Sequence, residues 1–190
     1  MSKILEDIDF SLTDHQEQYE CRLNYLDKTM KKKKKKDFFD SDMVEKISMF
    51  LNHIFVYILL YQHDKFIKCF NDVRSIYPYI YADINTLKYD HSTNNKKTLL
   101  YDICFINIFD SKRVDDDKRY NAVILLLNAG ADMHIVCEHY TPTTWSKGLI
   151  ELKYYPSHNT TIAKTIYKYV KENSNKKDIL NIFDHYSQKN

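Results

Sequence analysis

Residues 120–145 read YNAVILLLNAGADMHIVCEHYTPTTW, and the fold turns on how that stretch is read. An apolar run with helical spacing ends in Gly130, one of only two glycines in the chain, and Ala131-Asp132 follow at once. A helix that stops sharply needs a residue able to take a left-handed backbone just past its last turn, and glycine does so with no side-chain penalty. Gly130 stands where the open carbonyls after Val123, Leu126 and Leu127 require it. Thr141-Pro142 then read as a restart: threonine caps a new helix, and proline at its first position gives up an amide hydrogen that had no partner. Between the two, ADMHIVCEHY is expected to turn back on itself as a hairpin-like finger. The order is helix, capped stop, protruding turn, capped start, helix, which is one boundary of a stacked helical array.

The same period runs outward from this stretch. Val44, Ile47, Leu51, Ile54 and Ile58 share one helical face, and Phe66, Phe70, Val73 and Tyr77 share another that should stop before Pro78. Further stripes are Ile162, Ile166, Tyr169 and Val170, then Ile179, Ile182, Phe183 and Tyr186. Period-two alternation is absent, so the expected class is all-α. The polar segments 89–97 and 110–119 read as long inserted loops. Three regions follow: a polar, Lys-rich arm over 1–42, helical repeats over 43–173 and a C-terminal capping helix over 174–190.

Val123, Leu126, Leu127, Gly130, Ala131, Asp132, Thr141 and Pro142 together resemble the ankyrin repeat, in which Leu-Leu-x-x-Gly-Ala-Asp-x-Asn ends an outer helix and Thr-Pro-Leu-His opens the next inner one. His134 stands where that family has Asn, and Thr143 and Thr144 replace Leu and His. A second copy is YADIN at 81–85, with Tyr81 in the glycine position, followed by TLLYDIC at 98–104. The copies lie further apart than the family period of about 33 residues, and the two polar loops absorb the excess. After Trp145, KGLIELKYYPSHN resembles one more inserted loop and 161–171 one more outer helix. The resemblance implies a short helical stack, with the helices at 43–61 and 178–187 as caps over its apolar ends.

Composition narrows the function. Apolar residues make up 44% of 190 and charged residues 28%, a globular balance. Basic and acidic side chains number 28 and 26, so the net charge of +2 gives no global field for nucleic acid. Heavy use of Lys, Asn, Ile, Tyr and Phe is the bias of an AT-rich genome, as in a poxvirus-like virus or an intracellular bacterium. Cys21, Cys69, Cys104 and Cys137 form no C-x-x-C pair, and MSKILEDIDF lacks a signal-peptide core, so an intracellular, cytoplasmic setting is expected. The apolar stretch at 47–61 is too short to span a bilayer and is interrupted by Asn52 and His53.

No chemical site stands out. His134, Cys137 and His139 could contribute to a zinc centre but supply too few ligands, so no metal and no cofactor are expected. Asp115, Asp116 and Asp117 sit in a charged segment with no apolar shell to shift a carboxyl pKa. Gly130 and Gly148 are too few for a phosphate-binding or dinucleotide loop. The expectation is a non-catalytic protein-interaction module that binds a protein partner through its concave face, as a host-directed effector in a virus or intracellular bacterium. The resemblance places the contact on the finger and the next inner helix, at Glu138, His139, Tyr140 and Trp145. The alternative is electrostatic binding of nucleic acid or an anionic membrane through Lys31 to Lys36. Against it, acids follow that run directly and no aromatic residue interleaves it.

Overall fold

The computed structural model describes residues 8, 9, 11, 21, 24, 41–78, 80–90, 95–105, 116–141 and 160–188, and from residue 41 on these form six helices and two short antiparallel ribbons. The Lys31–Lys36 run, Pro142 and Trp145 lie outside the described residues. The helical majority agrees with the all-α expectation.

Helix α1, Ser41–Tyr61, is the centre of the molecule. Every residue from Ile54 to Leu60 is buried, more than a full turn, so the helix is enclosed on all sides and does not act as an end cap. It packs against α2 (His63–Ile76), α3 (Leu99–Phe105) and α4 (Asp116–Asn128). Helix α2 buries one face, Phe66, Cys69, Phe70 and Val73, and ends at Ile76, before Pro78. Phe55, Phe66, Phe70 and Tyr81 close the α1–α2 contact, with the Phe55 and Tyr81 rings edge-on at 5.0 Å. No helix of the described residues is long and apolar enough to cross a membrane.

Helix α4 begins at Asp116, inside the segment expected to be a loop. Asp116 and Asp117 fill its first turn, where carboxylates favour a helix N-terminus, so the acidic run starts a helix instead of interrupting one. Ala122, Val123, Leu126 and Leu127 are its buried face. At its end Gly130 has φ 89°. The Gly130 N–H donates to the Leu127 carbonyl at 3.0 Å and the Ala131 N–H to the Leu126 carbonyl at 2.9 Å, the paired bonds of a Schellman stop.

The segment expected to be a loop over 89–97 instead pairs as a ribbon, β1 (Lys88–Asp90) with β2 (Asn95–Lys97). The finger after Gly130 also differs from expectation. It does not turn back within 131–140: Val136–Thr141 runs outward as β3, and Thr160–Thr165 returns as β4. Thr141 is therefore the last residue of a strand, paired with Thr160, and the residues from 161 form a strand and then a short helix, not one outer helix. The β-branched run Thr160, Thr161, Ile162 suits a strand, and Thr165 ends it by capping α5 (Ile166–Glu172). A single 3-10 turn, Ser174–Lys176, leads into α6 (Lys177–Ser187). Helix α6 buries Ile179 and Phe183 and is tied to its neighbours by three tyrosine hydroxyls. Tyr120 donates to Asp178 at 2.8 Å, Tyr167 to Asp184 at 2.7 Å and Tyr186 to Asn128 at 2.6 Å. One continuous core runs from Ile8 to Phe183.

Candidate interaction surface at the two ribbons

Two segments make the same local structure in the same order. The Asp83 carboxylate accepts the Asn85 N–H at 2.8 Å, and the Asp132 carboxylate accepts the His134 N–H at 2.7 Å, an Asx turn in each case. A ribbon follows each turn. A threonine then closes each ribbon: Thr98 accepts the Tyr101 N–H and Thr165 the Lys168 N–H, both at 3.2 Å. Each threonine opens a seven-residue helix, α3 or α5.

The two segments are fastened to each other. The Asn85 side-chain amide donates to the Gly130 carbonyl at 3.0 Å, and its oxygen accepts the Asp132 N–H at 2.8 Å. Strand β2 lies beside β3. Cys137, fully buried on β3, takes hydrogen bonds from the Thr98 N–H and hydroxyl, although burial still pushes its thiol pKa up. At the base of the second ribbon, the Ile166 and Tyr167 N–H groups donate to the Ile135 and Met133 carbonyls at 3.2 and 2.9 Å.

Strand register sets the faces. Lys88 pairs with Lys97, and Cys137 with Lys164. Lys88 and Cys137 thus hold matching inward positions. Lys88 is only 8% exposed; its amine donates to the Ile80 carbonyl and sits 3.2 Å from the centre of the Tyr81 ring. Burial pulls its pKa down to about 7, with Asp83 opposing. One residue earlier in each segment, Leu87 and Val136 are 42% and 52% exposed, a matched apolar pair facing out.

On the inward side the ribbons meet an aromatic cluster. The Tyr101 and Phe105 rings lie 4.8 Å apart, and Tyr169 stands edge-on to both at 5.7 and 6.0 Å. Lys97 reaches over Tyr101 at 5.6 Å and Lys164 over Tyr169 at 5.8 Å, while Lys164 also pairs with Glu172. Burial raises the pKa of Cys69 to about 12 and lifts Cys104 further, so these thiols stay protonated and are poor nucleophiles.

Of the residues expected to bind a partner, Glu138 is half-buried on β3 opposite Ala163. His139 and Tyr140 hold the next two positions of that strand, opposite Ile162 and Thr161. His134 and Cys137 do not converge: His134 is exposed, with its ring 5.8 Å from Tyr167, while Cys137 is buried against Thr98. Sequence reasoning missed Leu87, Lys97, Lys164 and Thr165. The signal for three of them is the recurring Lys-Thr-aliphatic triplet, Lys97-Thr98-Leu99 and Lys164-Thr165-Ile166. Comparison with protein-family models, curated proteins and solved structures gives no match.

Proposed function

We propose that the chain is a non-catalytic protein-interaction module of ankyrin-like design. In this reading α1–α2, α3–α4 and α5–α6 are three stacked helix pairs, and the two ribbons are the fingers between them. The observation that carries it is the Asn85 side chain, which spans from one Asx turn to the backbone of the next and so holds the two ribbons side by side. Two fingers at fixed spacing form a preorganised surface, and little ordering cost is left for a partner to meet on binding. Leu87 and Val136 give that surface apolar contacts, and the half-buried Glu138 gives it a polar one. The partner is a protein, reached in the cytoplasm of a host cell if the genome is that of a virus or intracellular bacterium.

The test is affinity capture from lysate with wild type beside Leu87→Ser/Val136→Ser and a variant with Lys31 to Lys36 changed to Gln. Both apolar side chains are exposed, so the first variant should keep its melting temperature. A protein retained by wild type and lost by the ribbon variant supports the reading. Unchanged capture by the ribbon variant removes it, and nucleic acid or lipid lost only with the lysines replaces it with the electrostatic alternative.

A further inference from the structure

Gln62 is the single residue between α1 and α2, and its backbone serves both helices. Its N–H donates to the Ile58 carbonyl at 2.8 Å, and its carbonyl accepts the Lys65 N–H at 2.9 Å. The side chain, only 7% of the residue being exposed, is turned to a distant part of the chain. Its Nε2 donates to the Asp9 carbonyl at 2.6 Å, and its Oε1 accepts the Asp9 N–H at 3.1 Å. Tyr57 donates a second bond to the same carbonyl at 2.5 Å. Beside Asp9, Ile8 is 7% exposed and joins the main core. The Asp9 carboxylate faces outward and accepts the Ser11 N–H at 2.9 Å. The Ser11 hydroxyl, then that N–H, and last the charge of Lys65 hold it below the usual carboxylate range.

Both backbone groups of Asp9 are therefore satisfied by side chains of the helical body, and the residue before it supplies one buried aliphatic anchor. Peptide segments are recognised in this way: main-chain hydrogen bonds hold the backbone and a pocket takes a side chain. Nothing in the clamp reads the Asp9 side chain except the nearby charge of Lys65. Proline alone is excluded at that position, since it has no N–H to give Gln62.

We propose that Tyr57 and Gln62, with the apolar surface that takes Ile8, form a peptide-binding site, and that the segment at Ile8–Asp9 occupies it as a tethered, releasable ligand. The ligand class is a short segment with an aliphatic residue followed by any residue but proline, and an acid, which accepts the N–H two residues on, is favoured there. Among the described residues the anchor is one aliphatic side chain and three hydrogen bonds, small beside the core of α1 and α2, so release is expected well below global unfolding. A peptide of the same chemistry then competes against its own tethered copy, which acts at a high effective concentration. This site does not depend on the ribbons, and either reading can fail alone.

The experiment uses the full chain and a fluorescent peptide with the sequence of residues 3–14, KILEDIDFSLTD, followed by anisotropy. In the Ile8→Asp chain the tethered anchor is lost, and the peptide should bind saturably, at least about tenfold more tightly than to wild type. A peptide carrying Asp9→Pro should not bind, and neither should the labelled peptide bind an Ile8→Asp/Gln62→Leu chain. Absence of peptide binding by a folded Ile8→Asp chain overturns the proposal, and so does equal affinity for wild type. Should Ile8→Asp fail to fold, hydrogen exchange of the wild-type chain decides. The Asp9 amide should exchange faster than the Leu127 amide by at least about tenfold, whereas exchange only through global unfolding makes the segment a fixed part of the fold and overturns release.

Discussion

The segment from Tyr81 to Phe105 and the one from Gly130 to Glu172 build one backbone plan with different chemistry. The second ends its helix on Gly130 in the left-handed region and buries a cysteine at the root of its ribbon. The first has no glycine. Tyr81 stands in that position, 1% exposed, with its ring against Phe55 and Phe70, and Lys88 is buried where the other has Cys137. What the two share is the Asp turn, the ribbon and the threonine cap. Those hydrogen bonds define the plan, and the helix before each turn ends in its own way: α2 stops at Ile76, well before Tyr81, and α4 stops on Gly130.

The largest effect expected from breaking this comparison is at Tyr81. Tyr81→Ala would leave a cavity among Phe55, Phe70 and α1, costing about 3–5 kcal/mol in denaturant unfolding. Tyr81→Phe should instead be neutral or stabilising by about 1 kcal/mol, because the buried Tyr81 hydroxyl has no hydrogen-bond partner among the described residues. Gly130→Val comes next, at roughly 1–2 kcal/mol. A Cβ at Gly130 meets nothing within 4 Å, so that cost is backbone strain alone, and an unchanged melting temperature would show that the left-handed stop is dispensable. Asn85→Ala removes both bonds between the two turns and should cost about 1 kcal/mol, whereas His134→Ala, at the matching position in the second turn, should cost less than about 0.5 kcal/mol.

A pH dependence sets Lys88 against Cys137. The folded-state pKa of Lys88 is lowered to about 7 against 10.5 for a free lysine, so between those values the unfolded chain holds a proton that the folded chain has lost. Stability then rises with pH above about 7. Burial raises the thiol pKa values of Cys69 and Cys137 from 9.0, and those groups withdraw stability only at pH 9 and above. Between pH 7 and 8.5 Lys88 contributes on the order of 1 kcal/mol, with Lys176, also lowered by burial, acting in the same direction, and Lys88→Met should remove the Lys88 share in urea titrations across that window.

The helical stripes and the stop at Gly130 are legible in the sequence because both depend on neighbours in the chain. Asp83 and Asn85 are legible too, once YADIN is set beside GADMH. The restart is not. Thr141-Pro142 has the local chemistry of a helix start, yet the threonine that caps the next described helix is Thr165, because β3 pairs with a strand far along the chain. Pairing of that range leaves no periodic trace in a six-residue strand. The central place of α1 is hidden for a related reason: a stripe marks the face that is always buried, and only packing shows that the other faces are covered as well. Lys88 lies beside a polar run and reads as solvated, since nothing local indicates that Ile80 and Tyr81 will enclose it.

The Thr98 hydroxyl starts α3 while Thr98 also donates to Cys137 of the neighbouring ribbon, so both ribbons are secured at their roots. The first ladder runs out to the Asp90–Asn95 pair and the second to Thr141–Thr160. Chain of any length that leaves and re-enters through those outer pairs returns to the same roots. A change in the length of chain between those outer pairs would therefore leave the roots and the core where they are.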